Sequence, residues 1–321
     1  MAQIFEGIDF EDDVSVIVQN ENCTIMKVQN ETGEGNMVMY DVFPGAAIMY
    51  SDFHMAYCDS KFQADNSNLL CIDHCREGTI EYDLDDGFSY FFETGDLTVD
   101  TRKHHAGKTL FPLNHFHGVT LCFYLPQAEK SMKKEIRDFS VKLTQIQSKF
   151  CGDTKPYVVK ASDEIEHIFS ELYRVPEKIR KDYFRIKVFE LLLFLDALEF
   201  QNGQKGKEYF YRTQVEKVKA AQKLLTEDLN RHFTIAELAE RFDISQTALK
   251  DCFKATFGSP VNSYMQNYRI NTAAAMLKKE RNRSIAEIAG SVGYDSQSKF
   301  TAVFKRIIGV TPIEYRKNEK R

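Results

Sequence analysis

The chain has 321 residues with a formal net charge of −5, a length that accommodates two or three domains. Its apolar runs fall short of the about 20 residues that a membrane span requires, and its seven cysteines form no even framework, which argues against a disulfide-built scaffold. With no signal peptide in view, the expectation is a cytoplasmic protein with reduced thiols and no membrane partner.

Residues 1–127 read as β-rich. Strand-like runs occur at Val14 to Val18, Cys23 to Val28, Met37 to Val42, Leu69 to Ile72, Thr79 to Leu84, Phe88 to Phe92 and Gly118 to Tyr124. Asp85, Asp86 and Gly87 between two of them are a hairpin turn signal. Short strands separated by turns predict a barrel or sandwich whose interior can hold a small ligand.

Residues 128–200 change to helical spacing, with helices expected over Glu129 to Phe150, Ser162 to Tyr173 and Lys178 to Phe200. The last is apolar on most sides and is expected to be buried, either against its own chain or in a homodimer. The glycine-containing polar segment Gln201 to Lys207, within a boundary region of 201–210, reads as an interdomain linker.

From 211 to 321 the chain repeats itself. Thr234 to Ala239 (TIAELA) returns fifty residues later as Ser284 to Ala289 (SIAEIA), and Ser245, Phe253, Lys254, Gly258 and Tyr264 return at a spacing of fifty-one as Ser296, Phe304, Lys305, Gly309 and Tyr315. The turn inside the second copy has therefore gained one residue. Thr234 with Glu237, and Ser284 with Glu287, have the hydroxyl-to-carboxylate spacing of a capping box. Ser245 and Ser296 open second helices whose apolar residues recur four apart, Leu249 with Phe253 and Phe300 with Phe304, and Gly258 and Gly309 close them. Two helix-turn-helix units, about 231–258 and 284–309, imply a reader of double-stranded DNA. Between them, Pro260 to Lys279 reads as one rigid helix, roughly 30 Å long at about 1.5 Å per residue, close to the roughly 34 Å between successive major grooves on one face of DNA.

Charge supports the same reading. Residues 212–321 hold 20 Lys and Arg against 12 Asp and Glu, whereas the remaining 211 residues hold 22 against 35. A basic module is drawn to phosphate and binds in a salt-dependent way.

These residues, with Gly293 to Phe300 (GYDSQSKF) and Gly309 to Arg316 (GVTPIEYR), resemble the AraC/XylS family of bacterial transcription regulators. The resemblance covers residues from about 211 onward and implies a seven-helix DNA-binding domain that reads bases through its third and sixth helices, here Ser245 to Phe257 and Ser296 to Ile308. It implies Gln246, Thr247, Lys250, Asp251, Gln297, Ser298, Lys299 and Thr301 as base contacts, and Lys254, Lys305, Arg306 and Arg316 as phosphate contacts. Asp251 and Ala302 depart from the family's usual longer or basic side chains, which implies a different target sequence. By the same resemblance the fold is α+β, with an N-terminal cupin-like β-barrel, a helical dimerisation segment and a C-terminal all-α domain. It further implies an activator controlled by an unidentified small-molecule effector, with RNA polymerase as a partner.

No catalytic constellation accompanies these motifs, and the chain is read as a non-enzyme without cofactor. Cys71, His74 and Cys75 lie close together, with His104, His105, His115 and His117 beyond them. On a strand His115 and His117 would point the same way. No paired Cys-x-x-Cys accompanies them, and Gly118 to Pro126 lacks the carboxylate of the usual cupin metal motif, so no metal is assigned. The alternative is a metal- or thiol-dependent sensor, or a DNA-repair methyl acceptor, fused to the same DNA-binding domain; Cys71 and Cys75 bear a faint likeness to such an acceptor, whose second cysteine pair is missing.

Overall fold

A computed structural model describes residues 14–20, 23–60, 68–83, 87–102, 107–151, 157–199 and 209–318. The chain divides into two compact units, Met1–Tyr209 and Phe210–Arg321. The expected linker Gln201 to Lys207, the turn residues Asp85 and Asp86, and His104 and His105 lie outside the described residues.

In the first unit, β1 (Val14–Gln19), β2 (Thr24–Asn30), β3 (Gly33–Phe43), β4 (Ala46–His54), β5 (Tyr57–Ser60), β6 (Leu69–Asp83), β7 (Phe88–Glu93), β8 (Leu97–Asp100), β9 (Gly107–Leu110) and β10 (Phe116–Tyr124) build an antiparallel half-barrel. The strand order is β1-β2-β3-β4-β10-β6-β7. The sequence predicts separate strands at Leu69 to Ile72 and Thr79 to Leu84, but positions 69–83 run on as the single fifteen-residue β6. Its first half pairs with β10 and β8 and its second half with β7 and β9. The intervening residues look polar in sequence, yet β10 pairs with them as far as Gly78 and β8 with Asp73 and His74, which carries the strand through.

Four helices follow: α1 (Leu125–Glu135), α2 (Leu143–Phe150), α3 (Asp163–Leu172) and α4 (Arg180–Ala197). The one helix expected over Glu129 to Phe150 is thus two. Helix α1 stops at Ile136, and the chain turns through Asp138 at φ 58, a left-handed conformation that a helix cannot include. Phe139 then packs edge-on against Phe189 of α4, with centroids 4.9 Å apart. The short strand β11 (Tyr157–Val159) pairs with β8.

Side chains alternate across a strand, and here the two faces bury different partners. Ile48, Leu70, Ile72, Val119 and Leu121 pack against α1 to α4 in the larger core. Phe53, Cys75, Ile80, Phe92, Phe111 and Phe116 fill the hollow side of the half-barrel. Helix α4 buries Phe184, Val188, Phe189, Leu191, Leu192 and Leu195, but it is not buried all round: Ile186 is 63% exposed and Leu193 49%.

The second unit contains α5 (Arg212–Glu227), α6 (Ile235–Arg241), α7 (Gln246–Phe257), α8 (Val261–Lys279), α9 (Ile285–Ser291), α10 (Gln297–Ile308) and α11 (Pro312–Asn318). The sequence repeat is also a packing repeat. Phe253 meets Tyr264 edge-on at 5.4 Å and 80°, and their counterparts Phe304 and Tyr315 meet at 5.6 Å and 72°. Around the second pair, Ile270, Leu277, Ile288, Val292 and Phe300 are buried together.

Candidate nucleic-acid interface

Each half of the second unit is two helices set by caps. In the first, the Thr234 hydroxyl accepts from the Glu237 backbone N–H at 3.1 Å, and the Glu237 carboxylate accepts from the Thr234 N–H at 2.6 Å. Ser284 and Glu287 do the same at 3.1 and 2.7 Å. A third box, unrecognised in the sequence, opens α11 with Thr311 and Glu314; its signal was the same hydroxyl, three positions before a carboxylate, with Pro312 at the first helical position. Backbone hydrogen bonds hold all three carboxyls below the usual glutamate range. Each cap thus stays ionised and satisfies donors that a helix start leaves open.

The turns explain the unequal repeat spacing. Asp243 at φ 48 and Gly293 at φ 82 hold equivalent left-handed positions. The following residues, Ile244 and Tyr294, both donate a backbone N–H to the fifth residue before, Ala239 and Ala289, at 3.0 Å. Ser245 follows Ile244 directly, whereas Asp295 intervenes before Ser296. Asp295 is therefore the inserted residue.

The Ser245 hydroxyl accepts from the N–H of Ala248 at 3.2 Å, and that of Ser296 from Lys299 at 3.4 Å. Gly258 at φ 72 and Gly309 at φ 88 end the two helices. Helix α7 buries Leu249, Cys252, Phe253, Thr256 and Phe257, so its opposite side carries Gln246, Thr247, Lys250, Asp251 and Lys254, all exposed. Helix α10 buries Phe300 and Phe304 and exposes Gln297, Ser298, Lys299, Ala302, Lys305 and Arg306, with Thr301 half-buried. Residues three and four apart share a helix face, so each helix presents a polar ridge over an apolar base. Such a ridge can hydrogen-bond to base edges while the base keeps the helix in place.

Two expected phosphate contacts are less free than the others. Arg306 donates from a guanidinium nitrogen to the side-chain oxygen Oε1 of Gln266 on α8 at 2.5 Å. Arg316 is half-buried, with Nε and one terminal nitrogen shielded and without a hydrogen-bond partner. Its guanidinium fork therefore does not face outward, whereas Lys254 and Lys305 are exposed. Sequence reading also missed a bridge between the halves. Arg269 of α8 lies 3.3 Å from His232 Nδ1 and donates to the Arg231 carbonyl at 3.3 Å, while His232 Nε2 lies 3.1 Å from the Gly293 carbonyl.

In the first unit the cysteine and histidine candidates do not converge. Cys71 is buried, 3.7 Å from Cys122, and that contact together with burial pushes its thiol well above the usual range. Cys71 and Cys75, four residues apart on β6, stand roughly 13 Å apart at about 3.3 Å per residue, too far to share one metal ion, which disfavours the methyl-acceptor alternative. Cys75 lies in the hollow-side apolar cluster. His74 stacks on Phe169 at 4.2 Å across the other face, and burial pushes its imidazole down to about 4. His117 sits edge-on to Tyr173 at 5.2 Å, and His115 lies beside His54. A cavity of about 440 Å³ is lined by His74, Arg76, Ser170, Tyr173, Arg174 and Tyr183, among others. No described helix is long and apolar enough to cross a membrane.

Residues 238–318 match the family model described as a helix-turn-helix domain. A Streptomyces lividans protein described as an AraC-like transcription regulator is 42% identical over 94 residues, covering 29% of this chain and 31% of that protein. The HTH-type transcriptional activator RhaR of Enterobacter sp. (strain 638) is 30% identical over 97 residues, covering 30% and 34%. The chain thus spans about a third of the length of these curated relatives. Among solved structures, the C-terminal domain of AraT, a response regulator from Geobacillus stearothermophilus, is 29% identical, covers 32% of this chain and 84% of its own, and has a TM-score of 0.30.

Proposed function

We propose that this chain is a sequence-specific DNA-binding transcription regulator, with residues 211–321 as its AraC-type helix-turn-helix domain. The observation that carries the reading is the pair of capped helices α7 and α10, each with a polar ridge, joined by the nineteen-residue α8. At about 1.5 Å per residue α8 is roughly 28 Å long, of the order of one turn of B-DNA, about 34 Å. One chain then sets two reading helices in successive major grooves. Gln246, Thr247, Lys250 and Asp251 read one element, and Gln297, Ser298, Lys299 and Thr301 the other. Lys254, Lys305 and Arg306 hold the phosphates, and Arg316 joins them only if its shielded fork turns outward.

The first unit is the regulatory part of this reading. Its cavity beside His74 and Tyr173 is lined by the charged Arg76, Glu166, Glu171 and Arg174 as well as by Tyr173 and Tyr183, a lining suited to a small polar effector. An effector there acts through a difference in affinity between two states of the protein. Ile186 and Leu193 of α4 are seven residues apart and 63% and 49% exposed, and Ile179, 46% exposed, lies seven residues earlier in the 3-10 turn that leads into the helix, a stripe suited to pairing with the same helix of a second copy. Activation through RNA polymerase is the expected output, in keeping with the activator named among the relatives.

The test is to incubate purified protein with fragmented genomic DNA at moderate salt and sequence what is retained. An enriched site with two elements about 10 base pairs apart supports paired reading. Retention without sequence preference, by the full chain and by fragment 208–321 alike, would sink it.

A further inference from the structure

Asp52 and His54 lie two residues apart on β4 and so share a face of the sheet. Beside them β10 runs antiparallel, with Phe116 opposite Phe53 and His117 opposite Asp52, a register that brings His115 against His54. The two imidazole centroids are 4.9 Å apart. On the other edge of β10, Glu77 of β6 is opposite His117, and its carboxylate lies 3.5 Å from His115 Nε2. Asp52 reaches His54 Nε2 at 3.2 Å. The ligand-capable atoms of Asp52, His54 and His115 all lie within 4.8 Å of one another.

The backbone under this group is tightly specified. Gly78 has φ +92, and a Cβ there would stand 2.1 Å from the His115 carbonyl oxygen, so only glycine lets β6 pass this close. Phe53 and Phe116, which alternate with the polar residues, are buried in the hollow-side cluster. The polar set therefore faces away from the half-barrel's interior, on the sheet face that α3 and α4 cover farther along. His115 Nδ1 is shielded and has no hydrogen-bond partner.

We infer that Asp52, His54 and His115 bind a divalent late transition-metal cation of the zinc type, with Glu77 orienting His115. Two imidazoles and a carboxylate suit zinc, nickel, cobalt or copper; magnesium and calcium prefer oxygen alone. A carboxylate on one nitrogen of a histidine, leaving the other for the metal, is the usual outer support of such ligands. Bonds of about 2.0–2.1 Å in a tetrahedron place ligand atoms about 3.4 Å apart. The gap to close is small, and the Asp52 and His54 side chains are 51% and 64% exposed, free to turn inward. Three protein ligands leave a fourth position for water or a small donor. The site is independent of DNA reading and stands whether or not the regulator reading does.

The experiment is a zinc titration of untagged, chelator-stripped, full-length protein against a chromophoric competitor, repeated with cobalt to read its visible bands. The expected result is one equivalent, with cobalt bands of nitrogen and oxygen ligation and no thiolate charge-transfer band. His54→Ala and His115→Ala should each weaken binding by at least about 100-fold, and Glu77→Gln by about 10- to 100-fold. His167→Ala, on α3, should change nothing, and unchanged melting curves will show that each variant folds. Asp52→Asn gives the same readout with a smaller change of shape. No zinc held against the competitor, or one equivalent retained by the His54→Ala/His115→Ala double variant, would overturn the site.

Discussion

The Nε2 of His232 lies 3.1 Å from the carbonyl oxygen of Gly293. His232 opens the first helix-turn-helix unit just before α6 and Gly293 lies in the turn of the second, so this contact ties the two copies together. With Nε2–H donating to the carbonyl, Nδ1 is left to accept from Arg269, 3.3 Å away. His232→Ala should cost about 1 kcal/mol, the net worth of a typical hydrogen bond, and should weaken binding to a two-element site more than to either element alone. Denaturant unfolding and titration of whole and half sites will check it.

Gly293 itself cannot carry a side chain without rearrangement. Its φ is +82, and a Cβ would fall 2.1 Å from the Leu229 carbonyl oxygen. Gly293→Ala should destabilise the domain by roughly 2 kcal/mol or more, combining left-handed strain of about 1–2 kcal/mol with the clash. Gly309 is the contrasting position: its φ is +88, but a Cβ there would meet nothing within 4 Å, so Gly309→Ala should cost only the strain. Melting curves of the two variants will separate the effects.

Lys250 and Gln297 stand on the exposed ridges of α7 and α10. Replacing either with alanine should relax preference at particular base pairs by about 1–3 kcal/mol. Lys305→Ala should weaken all sequences alike and lower the salt slope by about 1. A panel of single-base variants of the recovered site, titrated at several salt concentrations, distinguishes the two behaviours.

Dimerisation through α4 predicts that Ile186→Glu or Leu193→Glu shifts the protein to monomer while leaving its melting temperature nearly unchanged, because both side chains are exposed in the single chain. Light scattering or sedimentation across a concentration series reads this directly.

His74 makes the first unit sensitive to acid. Its imidazole is held down to about 4 by burial, against an ordinary value of 6.5. Between those values the unfolded chain takes up a proton that the folded chain does not, so the full stability is present above pH 6.5 and falls as pH drops toward 4. The total effect is roughly 3 kcal/mol. His117, also lowered by burial, adds to the same trend. His74→Phe, which keeps the stack on Phe169, should flatten most of the slope in denaturation measured from pH 7 to pH 4.

How far the structure could be read in advance differs sharply between the two units. The caps at Thr234 and Ser284, the glycine stops at 258 and 309 and the long α8 were all legible, because each is a signal spread over a few neighbouring residues. The polar ridges of α7 and α10 followed from helical spacing against their buried phenylalanines. The break between α1 and α2 was not legible: a left-handed Asp138 has no strong sequence mark, and the break serves the contact between Phe139 and Phe189, fifty residues apart.

The sequence by itself therefore determined the doubled helix-turn-helix domain and the residues it presents, since periodicity, capping and turn chemistry act locally. Only the tertiary structure decided the continuous fifteen-residue β6, the separate fates of Cys71, His74 and Cys75, the tie from His232 to Gly293, and the meeting of Asp52, His54, Glu77 and His115. Those depend on strand register and on contacts between residues far apart in the chain. Shifting a strand by one residue would turn every one of its side chains to the other face, and nothing in a local pattern specifies that choice.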